Sequence, residues 1–362
     1  MKKYLNPIFV FYRIKKEIRY PTTRLGIAII GNYIQLKNIF KKKIKNDCMY
    51  AMYDLTISPN TYNFCEFIVL CNDEIIKRKL KKFKVIFIPR INENEITKNK
   101  EYFSVINEDI YQWRFLNILI PLTYCSKFCI GYDIAENDNQ IKRYLSYKNI
   151  HPINFSFKNR IRLDTNIIYM KYSSLKKIGL SAPKSSLIYL EKILDAKKIK
   201  NYITITIRHQ EYDSIRNSNL ESWNKFTDYL SKYKNLSVVV IPDTDNITVT
   251  ENLFKNSHKA IEASHNILLR FAYYQKSTFN FFAGGGPSSL CYLNNEIKYI
   301  MFKYGHVKGS IIHTKKAFKN FEPNTNFRFS SKNQILIWKT DSYDNLIKYF
   351  NKYVLEEIKT KI

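Results

Sequence analysis

The chain is 362 residues long, which suits two domains, and 45% of it is hydrophobic, enough for a sizeable core. Its 59 Lys and Arg against 31 Asp and Glu give a formal charge of +28, which favours anionic partners: nucleotide phosphates, an acidic membrane face or nucleic acid. Abundant Lys, Ile, Asn, Tyr and Phe beside 9 Gly and 10 Pro is also the bias of A/T-rich coding, so charge alone selects no partner.

The chain opens M-K-K-Y-L-N-P-I-F-V-F-Y-R-I-K-K, whose apolar stretch is too short to span a bilayer and has no small-residue cleavage site. No other segment approaches ~18 apolar residues. A cytoplasmic protein is expected, soluble or peripheral to the anionic inner face of the membrane. Leu25–Ile30 reads as a strand. Residues 63–82 read as a helix, apolar at Phe64, Phe67, Ile68, Cys71 and Ile75 with a basic end. Val85–Ile88 is a strand stopped by Pro89, 108–120 an amphipathic helix, Phe128–Gly131 a short strand and 134–147 a helix. Residues 148–184 lack a period and contain Pro152 and Pro183, as an inter-domain connection would.

The second half alternates more clearly. Helix 185–200 precedes the strand I-T-I-T-I (203–207), and Ser218 is placed to cap a helix apolar at Leu220, Trp223, Phe226 and Leu230. The strand 236–241, a helix around 264–276, the strand 278–283, a helix opened by Pro287 and the strand 298–302 follow. A last helix runs over 341–358. Strands alternating with helices predict α/β architecture with parallel sheets covered on both faces. The expected divisions are 1–150 and 185–340, each Rossmann-like, a connection at 151–184 and a terminal helix in 341–362. None of the six cysteines forms a C-x-x-C pair, and no histidines complete a zinc pattern, so no metal is expected and the thiols suit a reducing compartment.

Four groups of residues carry chemistry. In F-F-A-G-G-G-P-S-S-L (281–290), Gly284, Gly285 and Gly286 follow a strand and precede a proline-started helix. Such a turn exposes backbone N–H groups to a phosphate, and Ser288 and Ser289 add hydroxyls. The pattern is neither G-x-G-x-x-G nor a Walker loop. After I-T-I-T-I, Arg208 and His209 stand at a strand's carboxyl end, where ligands of open α/β sheets bind. Arg208 offers a donor fork that matches phosphate, Arg216 follows in the next loop, and His209 is open as a base, a ribose contact or a structural hydrogen-bonder. Asp243 and Asp245 lie past the next strand, suited to ribose hydroxyls, to Arg208, to a metal or to a local turn. Arg270 sits on the helix before the glycine strand, facing either the cleft or solvent.

The runs R-H-Q-E-Y-D-S-I-R-N-S-N-L-E-S-W (208–223), I-P-D-T-D (241–245), L-L-R-F-A-Y-Y (268–274), G-G-G-P-S-S-L (284–290) and Q-I-L-I-W-K-T-D (334–341) resemble bacterial surface-polysaccharide glycosyltransferases of the GT-B type. Their order is similar to that of fucosyltransferases. The resemblance covers residues 200–341. It implies two Rossmann-like domains facing across a cleft, the first for a glycan or lipid-linked acceptor and the second for a nucleotide sugar, with the last helix crossing back. It implies a metal-independent hexosyl- or fucosyl-type transfer that needs no cofactor beyond the donor. Arg208, Arg216, Asp243, Asp245, Arg270, Gly284 to Gly286, Ser288 and Ser289 would bind that donor. The base stays open among Asp54, Glu66, Glu108, Asp109 and His209. The run Y-D-L-T-I-S-P-N-T-Y-N-F (53–64) also looks familiar from such proteins, without a role. A non-catalytic nucleotide- or sugar-binding protein is the alternative. Nucleic acid is not expected as a partner, because basic residues are spread along the chain and no RRM, KH or OB signature is present.

Overall fold

The computed structural model describes residues 47–90, 106–157, 160–161, 172–210, 214–244, 247–250, 252–303 and 324–361. The expected strand at Leu25–Ile30 and the basic aromatic start lie outside them. The chain divides into two compact units. The first takes the described residues of Met1–Pro59, Asp73–Ile106 and Phe128–Leu163; the second takes Asn60–Asn72, Asn107–Lys127 and Asp164–Ile362. Two segments upstream of the expected connection thus belong to the second unit.

The first unit holds a four-stranded sheet in the order β3-β2-β1-β4, from β1 (Cys48–Asp54), β2 (Lys82–Ile88), β3 (Cys129–Ile134) and β4 (Ile150–His151). All pairs are parallel. Between β1 and β2 runs α1 (Asn63–Lys77), whose last residues, from Asp73, belong to this unit. Met52, Ile86, Ile88, Ala135, Ile141 and Phe155 form one core beneath the sheet.

The second unit holds β5 (Tyr202–Thr206), β6 (Ser237–Ile241), β7 (His258–Lys259), β8 (Phe279–Ala283), β9 (Tyr299–Phe302) and β10 (Gln334–Leu336). They are parallel throughout, in the order β10-β9-β8-β5-β6-β7. This is the Rossmann order: the chain leaves β5 toward β6 and β7 on one side, then returns to build β8, β9 and β10 on the other. The alternation of I-T-I-T-I decides the two faces. Ile203, Ile205, Val238, Val240, Phe281, Ile300 and Phe302 meet Trp223, Phe226, Leu346 and Phe350 in a continuous core. On the opposite face the threonines are satisfied within the fold: Thr206 and Tyr274 share a hydroxyl pair at 2.9 Å, and Thr204 Oγ1 donates to Asn280 Oδ1 at 2.5 Å. The second unit is therefore covered on both faces, as its pattern predicts.

Local signals hold with one exchange. The helix after β5, α2 (Leu220–Leu230), is capped by Asn219, whose side chain accepts from the Ser222 N–H at 3.1 Å. Ser218, the expected cap, instead accepts from the backbone N–H of Arg208 at 2.9 Å and so shapes the loop after β5. At the end of the chain, α3 (Tyr343–Tyr353) and α4 (Leu355–Lys361) place Leu346, Phe350, Val354 and Ile358 in the second unit's own core. Among the described residues no helix is long and apolar enough to cross a membrane, and none of the six cysteines is in a disulfide.

His151, at the end of β4, supplies a pH test of the first unit. Burial lowers its pKa from 6.5 to about 4, against the upward pull of Glu74. The unfolded chain then takes up a proton near pH 6.5 that the folded unit refuses until about pH 4, so stability falls as pH drops through that window. The loss per pH unit is at most about 1.4 kcal/mol. Denaturant midpoints measured from pH 7 to 4 should decline, and His151→Gln should flatten the upper part of the decline. An unchanged slope in the variant would refute the assignment.

Candidate functional site

Carboxyl ends of parallel strands open where neighbouring crossovers diverge, and in the second unit that point lies between β5 and β8. Two of the predicted groups meet there. After β5 the chain runs through Ile207 into Arg208, which is 6% exposed. Its backbone is clamped to Ser218, since the Ser218 N–H also donates to the Arg208 carbonyl at 2.8 Å. The guanidinium Nη1 donates to Asn217 Oδ1 at 2.7 Å. After β8 come Gly284, Gly285 and Gly286.

The three glycines have different reasons. None takes a positive φ, so the reason lies in space and not in backbone conformation. A Cβ on Gly284 would sit 3.4 Å from Met301 Sδ, and one on Gly286 would sit 2.7 Å from Cδ2 of the Tyr62 ring. The collision with the Tyr62 ring accounts for Gly286, whereas the contact at Gly284 is an ordinary one with a flexible side chain. A Cβ on Gly285 would find nothing nearer than Arg208 Cδ at 3.7 Å. The protein's own packing admits a Cβ there, in ordinary contact with the Arg208 arm.

The helix after the loop is a single short turn, Ser288–Tyr292. Its two serines are turned back on the loop: Ser288 Oγ donates to the Gly285 carbonyl at 2.5 Å and Ser289 Oγ to the Gly286 carbonyl at 3.0 Å. Both hydroxyls therefore brace the glycine turn in this state. The serines stand in the first turn of the helix opened by Pro287, as expected, with their hydroxyls engaged by the loop carbonyls.

Asp243, just past β6, is buried and holds the Arg208 loop. Its Oδ2 accepts from the His209 backbone N–H at 2.9 Å and its Oδ1 from Gln210 Nε2 at 3.2 Å. Gln210 is also bound through its backbone to Asn217, in both directions. Of the readings open to Asp243, loop fixation is the one these bonds describe. Asp245 lies outside the described residues. Arg216 ends a 3-10 turn, Ser214–Arg216, in the same loop and is half-buried.

Arg270 is 2% exposed, so the solvent-facing alternative does not hold. Its Nε donates to the Ala263 carbonyl at 2.7 Å and its Nη2 to the Pro242 carbonyl at 3.1 Å. Burial pulls its pKa down, but Tyr274, Tyr62 and Asp243 outweigh that and leave it raised. It ties the loop after β6 to the helix before β8.

In the first unit, Asp54 ends β1. Its Oδ1 accepts from Thr56 N–H at 3.0 Å and Thr56 Oγ1 at 2.7 Å, and Oδ2 lies 3.5 Å from Arg160 Nη1. Glu66 belongs to the second unit, where Tyr292 Oη donates to its Oε1 at 2.9 Å. Glu108 and Asp109 occupy the exposed first turn of helix Glu108–Arg114, also in the second unit. Among the described residues no three His, Cys, Asp or Glu side chains come together as a metal site.

Tyr62 is the residue of this site that the sequence did not disclose. It stands in an irregular stretch before α1, far along the chain from the glycine loop it touches. One sequence links no such pair; the only trace was the unassigned run 53–64.

No family model matches the chain. A "putative actin-fragmin kinase" of Dictyostelium discoideum is 31% identical over 137 residues, covering 36% of this chain and 29% of that protein. The chain thus spans less than a third of that relative's length. Similar solved structures include a glycosyl transferase of family 9 from Veillonella parvula, at 10% identity and TM-score 0.45, over 85% of this chain and 97% of that one. The ADP-heptose LPS heptosyltransferase II of E. coli aligns at 9% identity and TM-score 0.39, over 86% and 97% of the two chains. E. coli heptosyltransferase WaaC, solved with ADP, aligns at 11% identity and TM-score 0.41, over 86% and 99%.

Proposed function

We propose that the protein is a glycosyltransferase that binds a nucleoside-diphosphate sugar in the second unit's switch-point crevice and passes the sugar to a glycan or lipid-linked acceptor. One observation carries the donor site: Gly285, a loop glycine whose place a Cβ could take with only ordinary contacts, stands beside the Arg208 arm. A glycine kept where alanine would fit is accounted for by a ligand that approaches the backbone closely. Arginine next to that glycine gives the ligand its chemistry, a phosphate.

Transfer leaves a nucleoside diphosphate carrying new negative charge. A preorganised donor aimed at such charge contributes on the order of 3 kcal/mol to the barrier. Arg208 is suited to this because Asn217, Ser218, Gln210 and Asp243 fix its loop before any substrate arrives. The acceptor hydroxyl needs a base; Asp54, at the carboxyl end of β1, is the first unit's candidate, and Arg160 and Thr56 orient it. In the second unit, His209, which follows Arg208, is the candidate base.

The direct test offers the protein a panel of nucleotide sugars with a lipid-linked acceptor and follows transfer and donor hydrolysis. Turnover with one donor supports the enzyme; saturable binding with neither product would favour a binding protein. Donor binding is expected to survive EDTA with less than a tenfold change in affinity. Arg208 supplies positive charge, and the carboxylate of Asp243 is engaged by His209 and Gln210. A larger loss would recast Asp243 and Asp245 as metal ligands.

A further inference from the structure

The run 53–64 has a second end, and that end reaches the donor crevice. Residues 60–72 belong to the second unit. Two contacts dock the start of α1 on the glycine loop and its short helix: the Tyr62 ring lies against Gly286, and Tyr292 donates to Glu66. Upstream, Asn60 Nδ2 donates to the Tyr111 carbonyl at 2.9 Å and fixes the approach to the ring. Tyr62 is thus held by contacts on both sides.

Its hydroxyl has no hydrogen-bond partner among the described residues, although the side chain is half-buried. A half-buried phenol with an open hydrogen-bonding group, one residue from Gly285, is placed to meet whatever enters there. We propose that Tyr62 is a donor-site residue: its ring roofs the glycine loop and its hydroxyl donates a hydrogen bond to the phosphate that Gly285 admits.

The surroundings agree with a donor role. Burial pushes the phenol up to about 12, and the nearby Arg270 guanidinium only partly offsets this. The group therefore keeps its proton at working pH. Arg270 and Arg114 supply positive potential around it, and Asp243 is the acidic group within reach. The inference rests on the donor reading above, because it gives that site a second ligand-facing group drawn from outside the β5 to β10 region.

The test is calorimetric titration of the full chain with ADP, GDP, UDP and CDP and with the matching nucleosides. Tyr62→Phe keeps the ring and removes only the hydroxyl. It is expected to leave the melting temperature unchanged and to weaken the best diphosphate by about tenfold, the loss of one hydrogen bond to a charged group. Nucleoside binding should not change. Gly286→Ala, whose Cβ collides with the ring, should weaken diphosphate binding as well while the hydroxyl is still present. Diphosphate affinity within twofold of wild type in Tyr62→Phe would overturn the proposal and make the tyrosine packing alone. Equal losses for nucleoside and diphosphate would overturn it too. If the wild-type chain binds no diphosphate, the donor reading itself falls, and this inference with it.

Discussion

Gly285→Val is expected to abolish nucleoside-diphosphate binding and to leave the protein folded. The backbone at Gly285 is not left-handed, so valine meets no penalty of conformation. Its Cβ would find only ordinary contacts, at 3.7 Å to Arg208 Cδ, 3.8 Å to the Ala283 carbonyl and 3.9 Å to Pro287 Cδ. The two methyl groups beyond it would compete for the place where the phosphate is proposed to lie. Folding should lose on the order of 1 kcal/mol, a typical cost for a substitution that breaks nothing. Ser288→Ala is the control. It removes one brace on the Gly285 carbonyl and leaves the backbone N–H groups in place, so it should weaken binding only modestly. Circular dichroism establishes folding and calorimetry reads affinity. A folded Gly285→Val protein that binds every diphosphate normally would make the loop a structural turn and remove the donor site.

Arg208→Ala should weaken diphosphate binding by roughly 10- to 150-fold, the range for a charge-assisted contact of about 1.5–3 kcal/mol. Nucleoside binding should change little, because the guanidinium fork reads phosphate oxygens and not a base. The loop should survive the change: Asn217 Oδ1, which accepts from Arg208, also accepts from the Gln210 N–H at 3.0 Å. The Ser218 clamp is made by the Arg208 backbone and is untouched by loss of the side chain. Parallel titrations with a nucleoside and its diphosphate decide the matter. Equal losses for both would point to damage in the base pocket or the fold.

Much of the second unit was legible because its physics is local. Val238 to Ile241, and Phe279 to Ala283 with its one polar residue Asn280, are β-prone runs bounded by turn residues, and such runs declare buried parallel strands. The positions of Arg208 and Gly284 to Gly286 were legible for the same reason: each follows such a strand, at the carboxyl end where ligands of open α/β sheets bind. β1 was missed although Met49, Ala51, Met52 and Tyr53 are almost wholly buried. Its sequence, C-M-Y-A-M-Y-D, has no β-branched residue and no clean alternation, and burial on both faces erases the period that would mark it. β7 and β10, of two and three residues, are too short to carry a pattern. Ser218 and Asn219 are both good caps, and only the tertiary demand of the Arg208 N–H assigns one to each task.

Asp341 has a consequence for the order in which this protein can be made. It is 1% exposed, accepts from the Asn219 N–H at 2.9 Å and from Trp223 Nε1 at 2.7 Å, and lies 3.0 Å from Lys303 Nζ. Lys303 in turn donates to the Asn217 carbonyl. The loop that presents Arg208 is thus anchored by a carboxylate more than a hundred residues downstream. Leu346 and Phe350, later still, cover the apolar face of β5 and β8. On the ribosome, a nascent chain that has emerged only through β8 has Trp223 and Phe226 over this face but lacks Leu346 and Phe350, and its Arg208 loop has Ser218 and Asp243 but not Asp341. Contacts of such long sequence separation are slow to form and leave apolar surface bare meanwhile. Completion of this half therefore waits for the last segment, and a stop before Asp341 would leave the Asn219 N–H and Trp223 Nε1 without their acceptor.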